Sequence, residues 1–190
     1  MRSNKKKFIY LISPNKILKS FYCDLIKVLK SNKISFFQLR LKKDSYKNKI
    51  KIAKKISRIC KKFKVKFLIN DDPELAKKIN ADGCHIGQKD MDITLARKLL
   101  KKKIIGVTCH NSLRLAKIAY KKNADYIAFG AFNSSRTKKI RFKANVKIIK
   151  KLKKISNIPV VAIGGINSSN YRKLLLNKAD FLAISGYIWN

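Results

Sequence analysis

Five of the ten acidic residues of this 190-residue chain sit in two short stretches, Asn70-Asp71-Asp72-Pro73-Glu74 and Gly87-Gln88-Lys89-Asp90-Met91-Asp92. Carboxylates gathered beside Asn and Gln amides suit a hard divalent cation that prefers oxygen and keeps several waters, which means Mg²⁺ before zinc. Not all of them need be ligands. Asp72 stands before Pro73, and Asp92 before the helical pattern of Leu95, Ala96, Leu99 and Leu100, so both read first as helix caps. Asp71 and Asp90 open no helix, and they are the metal candidates.

A second constellation is cationic. In Phe36-Phe37-Gln38-Leu39-Arg40-Leu41-Lys42 a period of two puts Gln38, Arg40 and Lys42 on one face. One amide and two cations projecting together make a site for a polyanion, Arg as a planar fork and Lys as a point charge. The stretch Gly130 to Lys138, with Ser134, Ser135, Arg136, Thr137 and Lys138, is polar, basic and without an acid, and it too invites phosphate. Gly164-Gly165 and Ser185-Gly186 close two apolar runs with small residues whose backbone N–H groups can face an anion. Of the two histidines, His85 lies within an apolar run and reads as a hydrogen-bonded core imidazole. His110 follows a strand candidate and is either a polar site residue or a helix opener. Cys109 has only that histidine beside it to activate a thiolate, a weak basis for a nucleophile.

These groups need a frame that brings them together. Eight short runs rich in β-branched and aromatic residues recur: Phe8–Ser13, Phe36–Leu41, Lys66–Asn70, Gly83–Gly87, Ile104–Cys109, Tyr126–Gly130, Pro159–Gly165 and Phe181–Gly186. Most are continuously apolar, as parallel strands covered on both faces must be. Segments of helical period separate them, such as Tyr46, Ile50, Ala53, Ile56, Cys60 and Phe63 with Lys filling the other face. Asn80-Ala81-Asp82, Asn123-Ala124-Asp125 and Lys178-Ala179-Asp180 form a weak repeat leading into the fourth, sixth and eighth runs. The pattern is that of one (β/α)₈ barrel domain over residues 1–190, whose active site lies at the C-terminal strand ends. The chain stops a few residues after the eighth run, so the last helix is expected to be missing. Tyr187, Ile188 and Trp189 would then need cover, most simply from a second copy in a homodimer.

Composition narrows the partners. The formal net charge is +37, the usual mark of a nucleic-acid or membrane-surface binder. Yet Lys outnumbers Arg 39 to eight and follows the outer faces of the helices, so a specific nucleic-acid partner is not expected. No apolar run approaches a membrane span, and Phe8–Ile12 is too short for a signal-peptide core, which points to the cytoplasm. Cys23, Cys60, Cys84 and Cys109 form no CxxC pair and read as reduced thiols.

Taken in order, Gln38-Leu39-Arg40-Leu41-Lys42, Asn70-Asp71, His85-Ile86-Gly87-Gln88-Lys89-Asp90, Gly106-Val107-Thr108-Cys109-His110, Ser135-Arg136-Thr137-Lys138, Ala162-Ile163-Gly164-Gly165-Ile166 and Ala183-Ile184-Ser185 closely resemble the thiamine phosphate synthase family. The resemblance runs over nearly the whole chain. It implies a (β/α)₈ barrel that joins hydroxymethylpyrimidine diphosphate to a thiazole phosphate and releases pyrophosphate. By position it implies that Gln38, Arg40, Lys42, Asn70, Thr108 and Lys138 hold the pyrimidine diphosphate, and that Asp71 and Asp90 bind Mg²⁺. Of these, Arg40, Lys42, Thr108 and Lys138 would act in catalysis. Ser135, Arg136, Thr137, Gly164, Gly165, Ile184 and Ser185 would hold the thiazole phosphate. Four positions depart from the family's habit: Leu41 replaces an acid, Thr108 a Ser, Ser135 a Thr, and Ser13-Pro14 ends the first strand where an acid is common. A thiazole tautomerase-type paralogue is the alternative. It would work by acid/base chemistry at a histidine such as His110 and would have no use for a metal and pyrophosphate cradle.

Overall fold

The β-branched and aromatic runs become strands because both of their faces are covered, and β4 and β6 below are buried from end to end. A computed structural model of the chain describes residues 7–134 and 142–189. Its strands are β1 (Ile9–Ile12), β2 (Ile34–Leu39), β3 (Lys66–Asn70), β4 (Gly83–Ile86), β5 (Ile104–His110), β6 (Tyr126–Gly130), β7 (Val160–Ile163) and β8 (Phe181–Ile184). Each pairs in parallel with the next, and β8 returns to β1, which closes the barrel. The helices are α1 (Phe21–Lys30), α2 (Tyr46–Lys62), α3 (Pro73–Lys78), α4 (Ile93–Leu100), α5 (Leu113–Lys121), α6 (Lys147–Lys153), α7 (Tyr171–Leu176) and α8 (Gly186–Trp189).

Period-two alternation divides the strand side chains between two cores. Tyr10, Ile12, Leu68, Tyr126, Ala128, Val161 and Ala183 fill the barrel interior with Phe36, Ile104, Ile163 and Phe181. Their neighbours, among them Leu11, Phe37, Phe67, Ile69 and Ile105, face outward under the helices. In α2 the residues Ile52, Ala53, Ile56 and Cys60 are buried, and the Ser45 side chain caps the helix by accepting from Asn48 N–H. Each fully buried Ile or Leu in such a layer stabilises the fold by about 1.5–3 kcal/mol.

The Ala-Asp repeat has a structural cause. Asn80, Asn123 and Lys178 adopt left-handed backbone (φ 54°, 61° and 69°) just past α3, α5 and α7. The following alanines then donate their N–H groups back into the last helical turn, Ala81 to Ala76, Ala124 to Ala119 and Ala179 to Leu174. Next, each aspartate both donates to and accepts from the backbone of one residue of the preceding strand. Asp82 pairs so with Phe67, Asp125 with Ile105 and Asp180 with Val160. One cation backs each carboxylate: Lys66, Arg97 and Lys153 respectively. The motif ends a helix and pins the lower ends of two strands in three residues.

One glycine is fixed by the barrel interior. A Cβ on Gly106 would lie 1.7 Å from the Tyr126 ring, so β5 gives up its side chain there to admit that tyrosine.

The chain end differs from expectation. A one-turn α8 follows β8, and Trp189 donates Nε1–H to the Ile12 carbonyl at 2.6 Å and rests 5.0 Å from the Phe21 ring. Ile188 and Trp189 pack against the outer core, while Tyr187 stays 55% exposed. Ile188 and Trp189 thus find cover within the chain itself, and of the three residues Tyr187 alone is left largely exposed.

Candidate active site

Five polar side chains from five strands meet inside the upper barrel. Gln38 donates Nε2–H to the Tyr10 hydroxyl at 3.0 Å, and Tyr10 lies 2.8 Å from the Tyr126 hydroxyl. Tyr126 lies 2.8 Å from His85 Nδ1, and His85 Nε2 is 2.8 Å from Thr108 Oγ1. The result is an unbroken hydrogen-bonded chain, and it satisfies groups that would be costly to bury unpaired. Burial holds the His85 imidazole neutral, with its pKa pushed down to about 4 although the Asp71 charge pulls the other way. Burial likewise raises both tyrosine hydroxyls, so neither ionises near neutrality. The core reading of His85 agrees with this geometry.

At the mouth, the loops after β3 and β4 bring the two metal candidates together. Asp71 has left-handed backbone (φ 63°), and its N–H donates to the His85 carbonyl at 2.7 Å. Asp90 accepts from Gly87 N–H at 2.7 Å, and its carboxyl is within hydrogen-bonding reach of Asp71. Its pKa is raised, first by burial and then by the adjoining Asp71, with Lys42 acting the other way. Lys42 Nζ sits 3.2 Å from Asp71 Oδ2. Among the described residues no third His, Cys, Asp or Glu joins the pair. Two carboxylates forced into contact fit a cation whose remaining positions are taken by water or substrate oxygen, as Mg²⁺ commonly is. Asp72 and Asp92 do cap helices, accepting from Leu75 N–H and Thr94 N–H, and Lys122 holds the Asp92 carboxyl down at about 2. A cleft of about 490 Å³ opens beside this cluster, lined by Lys42, Lys49, Asn70, Asp71, Glu74 and Met91 among others.

The cationic residues lie just beyond their strand. β2 ends at Leu39, two residues earlier than its apolar run, so Arg40 and Lys42 belong to the loop above it. Arg40 is held twice: its N–H donates to Ser13 Oγ at 2.9 Å, and Nη1 donates to Asn15 Oδ1 at 2.8 Å. Ser185 Oγ donates to the Ser13 carbonyl at 3.3 Å, so the turn after β1 touches both predicted anion sites. Gly164 and Gly165 take positive φ (106° and 55°), and a Cβ on Gly165 would lie 2.0 Å from the Ser134 carbonyl oxygen. Asn133 N–H donates to the Gly164 carbonyl at 3.1 Å, joining the loops after β6 and β7. Ile184 closes β8 at the same mouth. Ser135, Arg136, Thr137 and Lys138 lie outside the described residues.

Cys109 and His110, at the end of β5, do not form a nucleophile pair. Cys109 is buried with its thiol pushed up to about 12, so it is no nucleophile. His110 has φ 52° and stacks on Phe142 at 4.2 Å. Sequence reasoning missed Tyr10, Tyr126 and Asn15, and it gave Ser13 no role in holding Arg40. The parity of the strands gave a signal for the tyrosines, because positions 10 and 126 share the inward face with Ile12 and Ala128.

Comparison with known proteins places this arrangement. The model of a family described as thiamine monophosphate synthase matches residues 9–188. The chain is 66% identical to the thiamine-phosphate synthase of Pelagibacter ubique (strain HTCC1062), over all of this chain and 93% of that one. It is 38% identical to the thiamine-phosphate synthase of Nitrosomonas eutropha over 93% of this chain and 84% of that one. Among solved structures, thiamine phosphate pyrophosphorylase from Pyrococcus furiosus superposes with a TM-score of 0.83 at 29% identity, covering 95% of this chain and 86% of the other.

Proposed function

The chain belongs to the thiamine monophosphate synthase family, and we propose that it is a thiamine-phosphate synthase, transferring a pyrimidinylmethyl group to a thiazole phosphate with loss of pyrophosphate. The observation that carries this reading is the pairing of opposite charges at one mouth. Lys42 lies 3.2 Å from Asp71, and Asp71 adjoins Asp90. Arg40 stands on the same loop as Lys42. A metal diphosphate carries both signs and satisfies such a site at once.

Asp71 and Asp90 would hold Mg²⁺, which when bound supplies positive charge against the leaving pyrophosphate. The protein residues do the rest. Arg40 and Lys42 contribute cations to the diphosphate, with Asn70 sharing the cleft wall with Lys42. Gln38 and Thr108, the two ends of the buried hydrogen-bonded chain, would hold the pyrimidine, and Lys138 would add a further cation to the diphosphate. The backbone at Gly164-Gly165, together with Ile184, Ser185 and the segment Ser135, Arg136 and Thr137, receives the thiazole phosphate. The bond from the pyrimidinyl methylene carbon to the diphosphate oxygen breaks, that oxygen keeps the electron pair, and the thiazole nitrogen forms the new bond to the carbon. Such a reaction needs charge stabilisation more than a strong base, which matches a site whose buried His85 is neutral and whose Cys109 is inert.

A thiazole tautomerase would gain nothing from the carboxylate pair beside Lys42. The deciding experiment is formation of thiamine phosphate from the two substrates with and without Mg²⁺. Turnover that survives complete chelation would count against the metal assignment, and no product under any condition would count against the reaction.

A further inference from the structure

The buried chain Gln38–Tyr10–Tyr126–His85–Thr108 has a direction, and the direction follows from counting protons. Gln38 Nε2–H donates to the Tyr10 oxygen, so the single Tyr10 proton is left for the Tyr126 oxygen 2.8 Å away. The Tyr126 proton must then go to His85 Nδ1 at 2.8 Å. With Nδ1 accepting, the neutral imidazole carries its proton on Nε2, where it donates to Thr108 Oγ1 at 2.8 Å. Thr108 is the last member, and its hydroxyl proton is not consumed by the chain. Thr108 is partly exposed near the upper end of β5, and Gln88 Nε2–H fixes its backbone by donating to its carbonyl at 2.5 Å. Reversal of the chain would reverse every role: Thr108 would donate to His85, and Gln38 would turn its NH₂ toward the mouth.

Resting on the synthase reading above, we infer that Tyr10, Tyr126 and His85 are positioning residues that fix the hydrogen-bond polarity of the pyrimidine diphosphate site. They leave Thr108, which is partly exposed, as a donor and the carbonyl oxygen of the buried Gln38 as an acceptor, at the two ends of one hydrogen-bonded chain. The substrate that fits presents an acceptor atom to Thr108 and an N–H to Gln38. None of the three touches the reacting atoms. Their work is to deny the site the opposite arrangement, in which two donors or two acceptors would meet the substrate at the wrong places.

The test needs no variant to begin. The chain has two histidines, so ¹⁵N-histidine labelling gives two imidazole spin systems, assigned with His110→Asn. The intact protein should show His85 protonated on Nε2 and bare on Nδ1; a proton on Nδ1 overturns the inference. Thr108→Val should cost on the order of 100-fold in kcat as a lost transition-state donor. Tyr126→Phe should shift the His85 tautomer balance and cost about tenfold in kcat, with a smaller change in KM. Because Tyr126 acts through Thr108, the double variant should be no slower than Thr108→Val alone. Multiplicative losses would mean that Tyr126 does something else and would overturn the inference alone. Full turnover in Thr108→Val would instead remove the site reading, and the inference with it, whatever the tautomer.

Discussion

Replacing Asp90 by Asn is expected to stabilise the metal-free protein while abolishing most of its activity. The folded state raises the Asp90 pKa, through burial first and the neighbouring Asp71 second. A carboxyl raised in this way contributes favourably only while protonated, below its unfolded value of about 3.9, and the contribution is lost as pH rises through the folded value. At neutral pH an ionised Asp90 is therefore a cost. Two unit charges about 4 Å apart interact by about 4 kcal/mol at an effective dielectric of 20, an upper bound here. Lys42 at 3.2 Å from Asp71 offsets part of it, and Asp90, though partly desolvated at the loop, keeps much of its surface in water. Solvent screening of such groups leaves about 0.5–1 kcal/mol. Asn keeps the acceptor for Gly87 N–H and turns its NH₂ toward Asp71. For a domain of this size the gain corresponds to about 1–4 °C in Tm. Melting curves in chelator at pH 7.5 should show it, and it should shrink as the wild-type carboxyl protonates on acidification. With Mg²⁺ at ten times its Kd the wild type should gain about 1.4 kcal/mol that the variant lacks, reversing the order. If Asp90→Asn melts below wild type in chelator, the carboxylate is structural and the metal assignment fails.

Other substitutions probe separate links. Arg40→Ala should weaken binding of the pyrimidine diphosphate by about 1.5–3 kcal/mol in titration calorimetry, with little change for the thiazole phosphate; equal losses for both ligands would place Arg40 elsewhere. Gly106→Ala puts a methyl group 1.7 Å from the Tyr126 ring and should destabilise by about 3 kcal/mol or more, read from urea midpoints; a near-normal midpoint would show that the tyrosine can move. Lys178→Asn should raise stability by about 0.5–1 kcal/mol, because Lys178 holds the left-handed backbone that Asn80 and Asn123 occupy at the equivalent turns; an unchanged Tm would mean that the turn carries no strain.

The sequence made the barrel legible where one physical requirement acts on consecutive residues. Parallel strands buried on both faces write continuous apolar runs, and β3 and β6 were bounded correctly for that reason. β2 was placed two residues late because Leu41 is buried beyond the strand end and extends the same apolar run. The carboxylate pair was legible because acids are scarce in this chain. What escaped was whatever joins distant positions. Tyr10 and Tyr126 are 116 residues apart and each reads as one more large residue in an apolar strand. Their hydroxyls acquire meaning only when β1 and β6 face one another across the closed barrel. The chain end escaped for a related reason, since nothing near Trp189 announces that the Ile12 carbonyl will meet it.

Net charge says less about this chain than the distribution of its few acids. Of ten acidic residues, Asp82, Asp125 and Asp180 are spent on strand starts at the lower rim, each beside a cation. Asp71, Asp72, Asp90 and Asp92 lie at the upper rim, and two of them cap helices. Among the described residues only Asp71 and Asp90 are drawn together without a backbone task that needs both. A surface of lysines raises the local concentration of phosphorylated substrates whatever their identity, so it governs encounter and its salt dependence. It does not select. On the proposed reading, selection for a ligand carrying both a diphosphate and a divalent cation requires negative charge at one point in a strongly positive field, and Asp71 and Asp90 at the upper ends of β3 and β4 would supply it.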